Sequence, residues 1–409
     1  MRRLFRILYG ILVLVCAVIL AAVGYYRFAL PDRFTVSEGQ RFCIGRLVQS
    51  HPLSPSGGDR AASATVGDEY RARLSLAGLF PLKEVTVSVS DQRVVMVCGT
   101  PFGIKMYMDG VLVIGLSDVT TAAGNVNPAE AAGVCVGDTI RAVNGKAVTT
   151  SRQVSAAIND CGGKPITLRL CRDGVEFDAT FTPVRPVGES GYRGGMWVRD
   201  SAAGVGTLTF YDPATGAFAG LGHAVFDADT GQETPLGSGE IVPARIFDVV
   251  KGEAGNPGEL KGSFEPGTLG QLLQNGQDGL YGRLTMYPIG RTLPVATRRQ
   301  VHKGTAQMLT TIDGTEPQLY EVQIEQIRYS GLHAIRNMVV RVTDPRLLEK
   351  TGGILQGMSG SPILQNGRLV GAVTHVLIDE PTKGYAIFAE NMLETAQSVA
   401  ESNKFKDAS

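Results

Sequence analysis

A serine hydroxyl is a weak nucleophile at neutral pH. A chain that uses one must supply a base for its proton and N–H donors for the oxyanion that forms. The stretch "QGMSGSP" around Ser359 has the composition for this. Gly357 and Gly360 allow a backbone turn in which N–H groups converge on one point. Pro362 then sets the exit into "ILQNGRLVGAVTHV", whose Asn366–Gly367 pair predicts a hairpin. A glycine-rich structural turn with polar fillers would read the same way, so this stretch needs a base elsewhere in the chain.

Five histidines are available. His51 lies in a Pro/Ser-rich stretch, His302 follows two arginines, and His333 sits in "SGLHAI" with no partner in view. His223, in "FAGLGHAVFDAD", has small residues before it and carboxylates after it, a strand-to-turn setting that can present an imidazole to a cleft. We take His223 as the general base expected from the sequence. The acid that would orient it is less defined. Asp344, in "RVTDPRLLEK", reads locally as a helix N-cap with Pro345 at the first helical position; Asp227, Asp229 and Asp248 are alternatives. The serine loop resembles the G-x-S-G-x-P nucleophile loop of chymotrypsin-like serine proteases, with Ser361 where a second glycine is usual. That resemblance implies that the N–H groups of Gly357 and Ser359 form the oxyanion hole. It also places His375 on the wall of the primary specificity pocket, where an imidazole would favour an acidic or amide side chain.

The elements that must position these residues follow from composition and pattern. The chain has 409 residues, 51 glycines, 44% hydrophobic residues and no net charge. This predicts a folded, mainly β protein of two or three domains and gives no reason to expect nucleic acid. H-E-x-x-H and the Walker pattern are absent, so neither a metal nor a nucleotide cofactor is expected. The uncharged run Ile7–Tyr26 follows Arg2, Arg3 and Arg6. It predicts a single transmembrane anchor in residues 1–27 with the N-terminus cytoplasmic; a cleaved signal peptide is the competing reading. Residues 28–93 read as a linker with N-terminal strands, the Pro/Ser/Gly/Ala-rich part running from Gln49 to Asp68. The cysteines read as small buried thiols rather than a disulfide framework.

Residues 94–184 form a module that resembles PDZ domains of the bacterial protease type, above all in "AAGVCVGDTIRAVNGKAV". The pattern predicts a turn at Asp109–Gly110, a short helix from Pro128, a tight turn at Asn144–Gly145, a capped helix over "SRQVSAAIND" and a hairpin at Asp173–Gly174. By the PDZ resemblance, Phe102, Gly103 and Ile104 would form the loop that holds a peptide carboxylate. Residues 185–409 read as short strands and turns ending in one helix, suited to two packed β-barrels.

Taken with the anchor and the module, "VRDSAAGVGTLTFY", "LGHAVFDADTG", "GNPGEL", "VTDPRLLEKTGGI", "QGMSGSP" and "VGAVTHV" resemble the stage IV sporulation protein B family of membrane-anchored serine peptidases. The resemblance implies a chymotrypsin-like double barrel with His223, Asp344 and Ser359 as the triad. It further implies a self-cleaving peptidase in the space between forespore and mother cell, which cuts a regulator of an intramembrane protease and so leads to sigma-factor processing. An acid so close in sequence to the nucleophile departs from the usual chymotrypsin order. Two other readings combine the same parts: a PDZ adaptor with an inactive protease-like domain, and a general envelope quality-control protease.

Overall fold

The computed structural model describes all residues except 1, 31, 38–41, 43–47, 54–67, 91–92, 287, 289, 330–334 and 407–409. Helix α1 (Arg2–Ala29) contains a stretch, Tyr9–Arg27, that is long and apolar enough to cross a membrane. A small sheet follows, built from β1 (Arg33–Ser37), β2 (Val48–Leu53), β3 (Glu69–Leu76) and β4 (Phe80–Ser90) in the order β1-β4-β3-β2. Its inward face buries Phe34, Leu74, Val85 and Val87. His51 is therefore a strand residue of β2, paired with Arg73, and not part of a linker. Most of the expected Gln49–Asp68 linker lies outside the described residues.

The paired barrels begin earlier than the sequence pattern suggests. Strands β5 (Val94–Val97) and β6 (Pro101–Leu116) precede the PDZ elements: β7 (Val119–Thr121), β8 (Gly124–Val126), α2 (Pro128–Ala131), β9 (Thr139–Val143), β10 (Lys146–Ala147), α3 (Ser151–Asp160), β11 (Ile166–Arg172) and β12 (Val175–Phe181). The chain then returns through β13 (Met196–Tyr211), β14 (Ala217–Gly220), β15 (Leu236–Val250), β16 (Glu259–Phe264), β17 (Gly270–Gly276), β18 (Gly279–Leu284) and β19 (Arg291–Pro294). Antiparallel pairing runs β6-β15-β17-β18-β14-β13, and a further β6–β13 pairing closes that ring into a barrel. The PDZ module is thus an insert between two staves of the first barrel, and the expected boundary at residue 94 does not hold: the first half of β6 is a stave of the barrel, and β5 pairs with β13 beside it.

Both staves are long enough to serve two domains. Residues 201–207 of β13 pair with 101–107 of β6 inside the barrel, and residues 196–199 pair with 112–116 of β6 inside the PDZ module. Arg199 pairs with Leu112 but Ser201 pairs with Tyr107, so β6 carries its extra residues as a bulge. Asp109–Gly110, expected as a hairpin turn, sits in this bulge, with Gly110 at φ +104°.

The second barrel is a closed ring in the order β20-β21-β22-β25-β24-β23. Its strands are β20 (Gly304–Thr310), β21 (Gln318–Ile327), β22 (Met338–Val342), β23 (Pro362–Gln365), β24 (Arg368–Val376) and β25 (Lys383–Phe388), with helix α4 (Pro345–Thr351) between β22 and β23. Apolar side chains alternate into its core, among them Val322, Ile324, Val340, Ile363 and Phe388. The terminal helix α5 (Ala389–Lys406) buries Met392, Leu393, Ala396 and Val399 against Phe210 and Tyr281 of the first barrel and Leu369 and Ile387 of the second, so it clamps the two together.

Cys16, Cys98, Cys135, Cys161 and Cys171 are free thiols; only Cys98 among them is buried, and burial pushes its thiol up to about 12. The expectation of buried thiols therefore holds at one position. Cys43 lies outside the described residues.

Candidate active site

Ser359 sits in the turn between α4 and β23, and the glycines around it are required by close approach. Gly357 and Gly360 both have φ near +90° (+94° and +93°), a region that favours glycine. A Cβ on Gly360 would lie 2.1 Å from the Thr207 carbonyl oxygen and 2.5 Å from the Leu221 nitrogen. The serine loop of the second barrel can therefore press directly onto the first.

Strand β13 makes that junction. The Thr207 N–H donates to the Ser359 carbonyl (3.0 Å) and its Oγ1 to the Gly357 carbonyl (3.0 Å), while Thr209 Oγ1 donates to the Gly360 carbonyl (2.7 Å). The Thr207 carbonyl in turn accepts from Leu221 N–H (3.3 Å), at the head of the turn that carries His223. This turn follows β14 through two residues of positive φ, Leu221 and Gly222. Gly222 is packed near Thr374 and Ile387 of the second barrel. One residue, Thr207, thus ties the serine loop and the histidine turn together.

Ser359, His223 and His375 line one cavity of about 500 Å3 between the barrels, with Gly357, Leu221, Thr374, Val376, Ile104 and Met106 among its other walls. No carboxylate lines it among the described residues. The Ser359 Oγ donates to the Thr374 carbonyl at 2.8 Å, so the hydroxyl must turn away from that oxygen before a base can take its proton. Neither the Gly357 nor the Ser359 N–H has an acceptor among the described residues, as an oxyanion hole requires.

The His223 Nδ1 lies 2.7 Å from its neighbour's carbonyl, Ala224 O. An N–H donated from Nδ1 to that oxygen leaves Nε2 as the acceptor, the tautomer a general base needs. The partner of Nδ1 is thus a backbone carbonyl, where a triad has a carboxylate. Burial lowers the His223 pKa below its usual 6.5, partly opposed by the Ala224 carbonyl, and so favours the neutral, basic form. The His375 ring is 4.6 Å from the His223 ring, centroid to centroid, and tilted by 36°. Burial, then His223, then Arg336 push the pKa of His375 down to about 4. A neutral imidazole offers hydrogen bonds and no charge, so the expected preference for an acidic side chain loses its electrostatic basis.

The structure does not bring Asp344 to this cavity. Its Oδ1 accepts from the Arg346 N–H (2.9 Å) and Nε (3.1 Å), and its Oδ2 from Arg346 Nη2 (2.8 Å) and the Glu321 N–H (3.2 Å). Both oxygens are taken up, and the residue is the N-cap of α4. Arg346 chiefly, with the Glu321 and Arg346 amides, outweighs burial and holds its carboxyl at about 2. The local reading of "TDPRLL" as a cap wins over the triad role. Asp227 and Asp229 pair with Arg199, and Asp248 with Lys261; none lines the cavity. His302 is exposed, its N–H on Gln365, and His333 lies outside the described residues.

Phe102, Gly103 and Ile104 do not form a carboxylate loop. They lie within β6, paired with both β13 and β15, and Phe102 is fully buried against Phe218 in the barrel core. A backbone already bonded on both edges has no N–H groups to offer a peptide. Thr207, which ties the two turns together, gave no signal in the sequence, because it acts through partners distant in the chain.

Two closed barrels joined by one helix, with a serine loop and a histidine turn meeting at their interface and a PDZ module inserted in the first barrel, define a serine peptidase of the two-barrel class. Residues 190–393 match the SpoIVB peptidase S55 family model and residues 127–172 a PDZ domain model. Over residues 190–393 the chain is similar to the SpoIVB-type peptidases; the matched segment begins in the last part of the PDZ module and omits β5 and β6. Similar solved structures include the active form of the Rv3671c protease from M. tuberculosis (16% identity, 49% of this chain and 74% of that one, TM-score 0.30). They also include the HtrA-type protease AlgW with a tripeptide (14%, 49% and 57%, 0.31) and the thermostable serine protease AL20 from an extremophilic microorganism (12%, 48% and 92%, 0.28). No curated protein matches the chain.

Proposed function

We propose that the catalytic unit of this serine endopeptidase is Ser359 with His223 as general base, the Gly357 and Ser359 N–H groups as oxyanion donors, and the Ala224 carbonyl in place of a triad acid. The observation that carries this is the pair of Thr207 bonds, which holds the serine loop and the histidine turn on one cavity. His375 forms the adjoining wall of the substrate groove. The PDZ module docks peptide. With Phe102–Ile104 inside the barrel, the turn Gly194–Gly195 is the better carboxylate site: its N–H groups have no acceptor among the described residues, and the nearby Tyr192 N–H is bonded to Asn159 of α3.

In the same reading, α1 holds the enzyme in a membrane with Arg2, Arg3 and Arg6 on the cytoplasmic side. The peptidase cuts its own chain in the Gln49–Asp68 segment and, from the space between forespore and mother cell, cleaves a regulator of an intramembrane protease. The family match and the order apolar helix, Pro/Ser-rich segment, PDZ, peptidase support this role. The second reading, a PDZ adaptor with an inactive peptidase domain, draws on the Ser359 Oγ bond to Thr374 and on a cavity that no carboxylate lines among the described residues. Labelling of the purified protein with a fluorophosphonate decides. Adduct on wild type, none on Ser359→Ala, and a loss of about a thousandfold or more in rate for His223→Ala are expected. No adduct on wild type would favour the adaptor.

A further inference from the structure

The segment after His223 is a loop held at both ends. At its base, Asn275 Oδ1 accepts from the Val225 N–H (2.8 Å), and Asn275 Nδ2 donates to the carbonyls of Val225 (3.1 Å) and Thr234 (3.0 Å). At its tip, Asp227 is buried and organises the turn: its Oδ1 accepts from the N–H groups of Asp229 and Thr230 and from Thr230 Oγ1. The charge of Asp227 needs a partner, and that partner comes from the PDZ half of β13. Arg199 Nη1 reaches Asp227 Oδ2 at 2.5 Å and its Nη2 reaches Asp229 Oδ2 at 2.6 Å, one guanidinium spanning both carboxylates.

The next residue on the same strand faces the other way. Asp200 Oδ2 accepts from the N–H (2.7 Å) and Oγ (3.0 Å) of Ser151, at the start of α3. The loop tip also touches the PDZ module directly, since a Cβ on Gly137 would lie 2.3 Å from Gln232 Nε2. One short stretch of β13 therefore grips the PDZ helix with Asp200 and the histidine loop with Arg199, and a few residues later holds the serine loop through Thr207.

We propose that Arg199 is a positioning residue for hydrolysis: by bridging Asp227 and Asp229 it fixes the loop that sets the Ala224 carbonyl and thereby the tautomer and orientation of His223. It makes the PDZ module a structural part of the active site, so that a change in the module reaches the base through β13. The inference rests on His223 being the base.

The test uses the full chain and two readouts, the fluorophosphonate labelling rate of Ser359 and the NMR titration and tautomer of the His223 ring. Arg199→Gln should lower the rate by roughly 10- to 100-fold, the scale of a misplaced catalytic group, and should weaken the Nδ1-protonated tautomer. Arg199→Lys, which keeps one ion pair, should recover part of both. Circular dichroism checks folding. If Arg199→Gln unfolds, Asp229→Asn removes only the exposed half of the bridge and should still slow labelling. A folded variant with a wild-type rate and an unchanged His223 titration would overturn the proposal, as would full activity in Asp229→Asn when Arg199→Gln cannot fold. Failure of the catalytic reading itself shows separately, as normal labelling of His223→Ala.

Discussion

Asp344→Asn separates a triad acid from a helix cap. A carboxyl held at about 2 rather than 3.8 is stabilised in its charged form by roughly 2 kcal/mol relative to the unfolded chain. Its main partner, Arg346, is 64% exposed, so solvent screens the pair and we expect a loss of about 1–2 kcal/mol on removing the charge. Asparagine keeps one accepting oxygen for the Arg346 amide, but its NH2 group then faces donors. Because the folded pKa lies below the unfolded one, this contribution is complete above about pH 4 and disappears as pH falls toward 2. Urea unfolding at pH 7 and pH 3 should show a clear gap between variant and wild type at the higher pH and a smaller one at the lower. Peptide hydrolysis, corrected for the folded fraction, should stay within a few-fold of wild type. Unchanged unfolding with a rate loss of about 10⁴-fold, the cost of amidating a true triad aspartate, would refute the assignment.

Three further outcomes follow from the site. With His223 as the proposed base, burial that lowers its pKa below 6.5 places the midpoint of the acid limb of kcat/KM below pH 6.5; an apparent pKa of 7 or above would contradict this. Gly360→Ala places a Cβ 2.1 Å from the Thr207 oxygen at a φ of +93°, so labelling should be lost even if the barrels fold; a normal rate would mean that the two barrels need not meet there. His375→Ala should alter the preferred residues around the scissile bond, read from a peptide library, while a small fluorophosphonate still labels within roughly tenfold. Loss of labelling in that variant would make His375 part of the proton-transfer machinery.

What the sequence displayed and what it hid divide by range. Turns and caps are written in adjacent residues, and the structure places them where expected: Asn144–Gly145, Asp173–Gly174 and Asn366–Gly367 all have positive φ, and Thr150 makes a capping box with Gln153. The serine loop was legible for the same reason, its glycines lying beside Ser359. Asp109–Gly110 carried a true signal of irregular backbone, but a bulge and a hairpin share that signal. Only the pairing of β6 with β13, residues far apart in the chain, tells them apart. Phe102–Ile104 failed for a related cause, since an apolar-Gly-apolar triplet is equally a stave of a barrel. Asp344 shows local chemistry prevailing: Pro345 starts the helix that Asp344 caps, and Arg346, two residues on, claims the carboxylate before any distant imidazole could.

The interrupted first barrel also sets an order of events during synthesis. β5 and β6 leave the ribosome early, yet their neighbours β13 and β15 are made only after the entire PDZ module, and the serine after nearly everything else. Contacts of such long sequence separation form late. A growing chain therefore assembles no working serine site until β24 has been made, and truncated chains ending between Pro362 and Arg368, which carry Ser359 but lack β24, should not acquire the fluorophosphonate adduct.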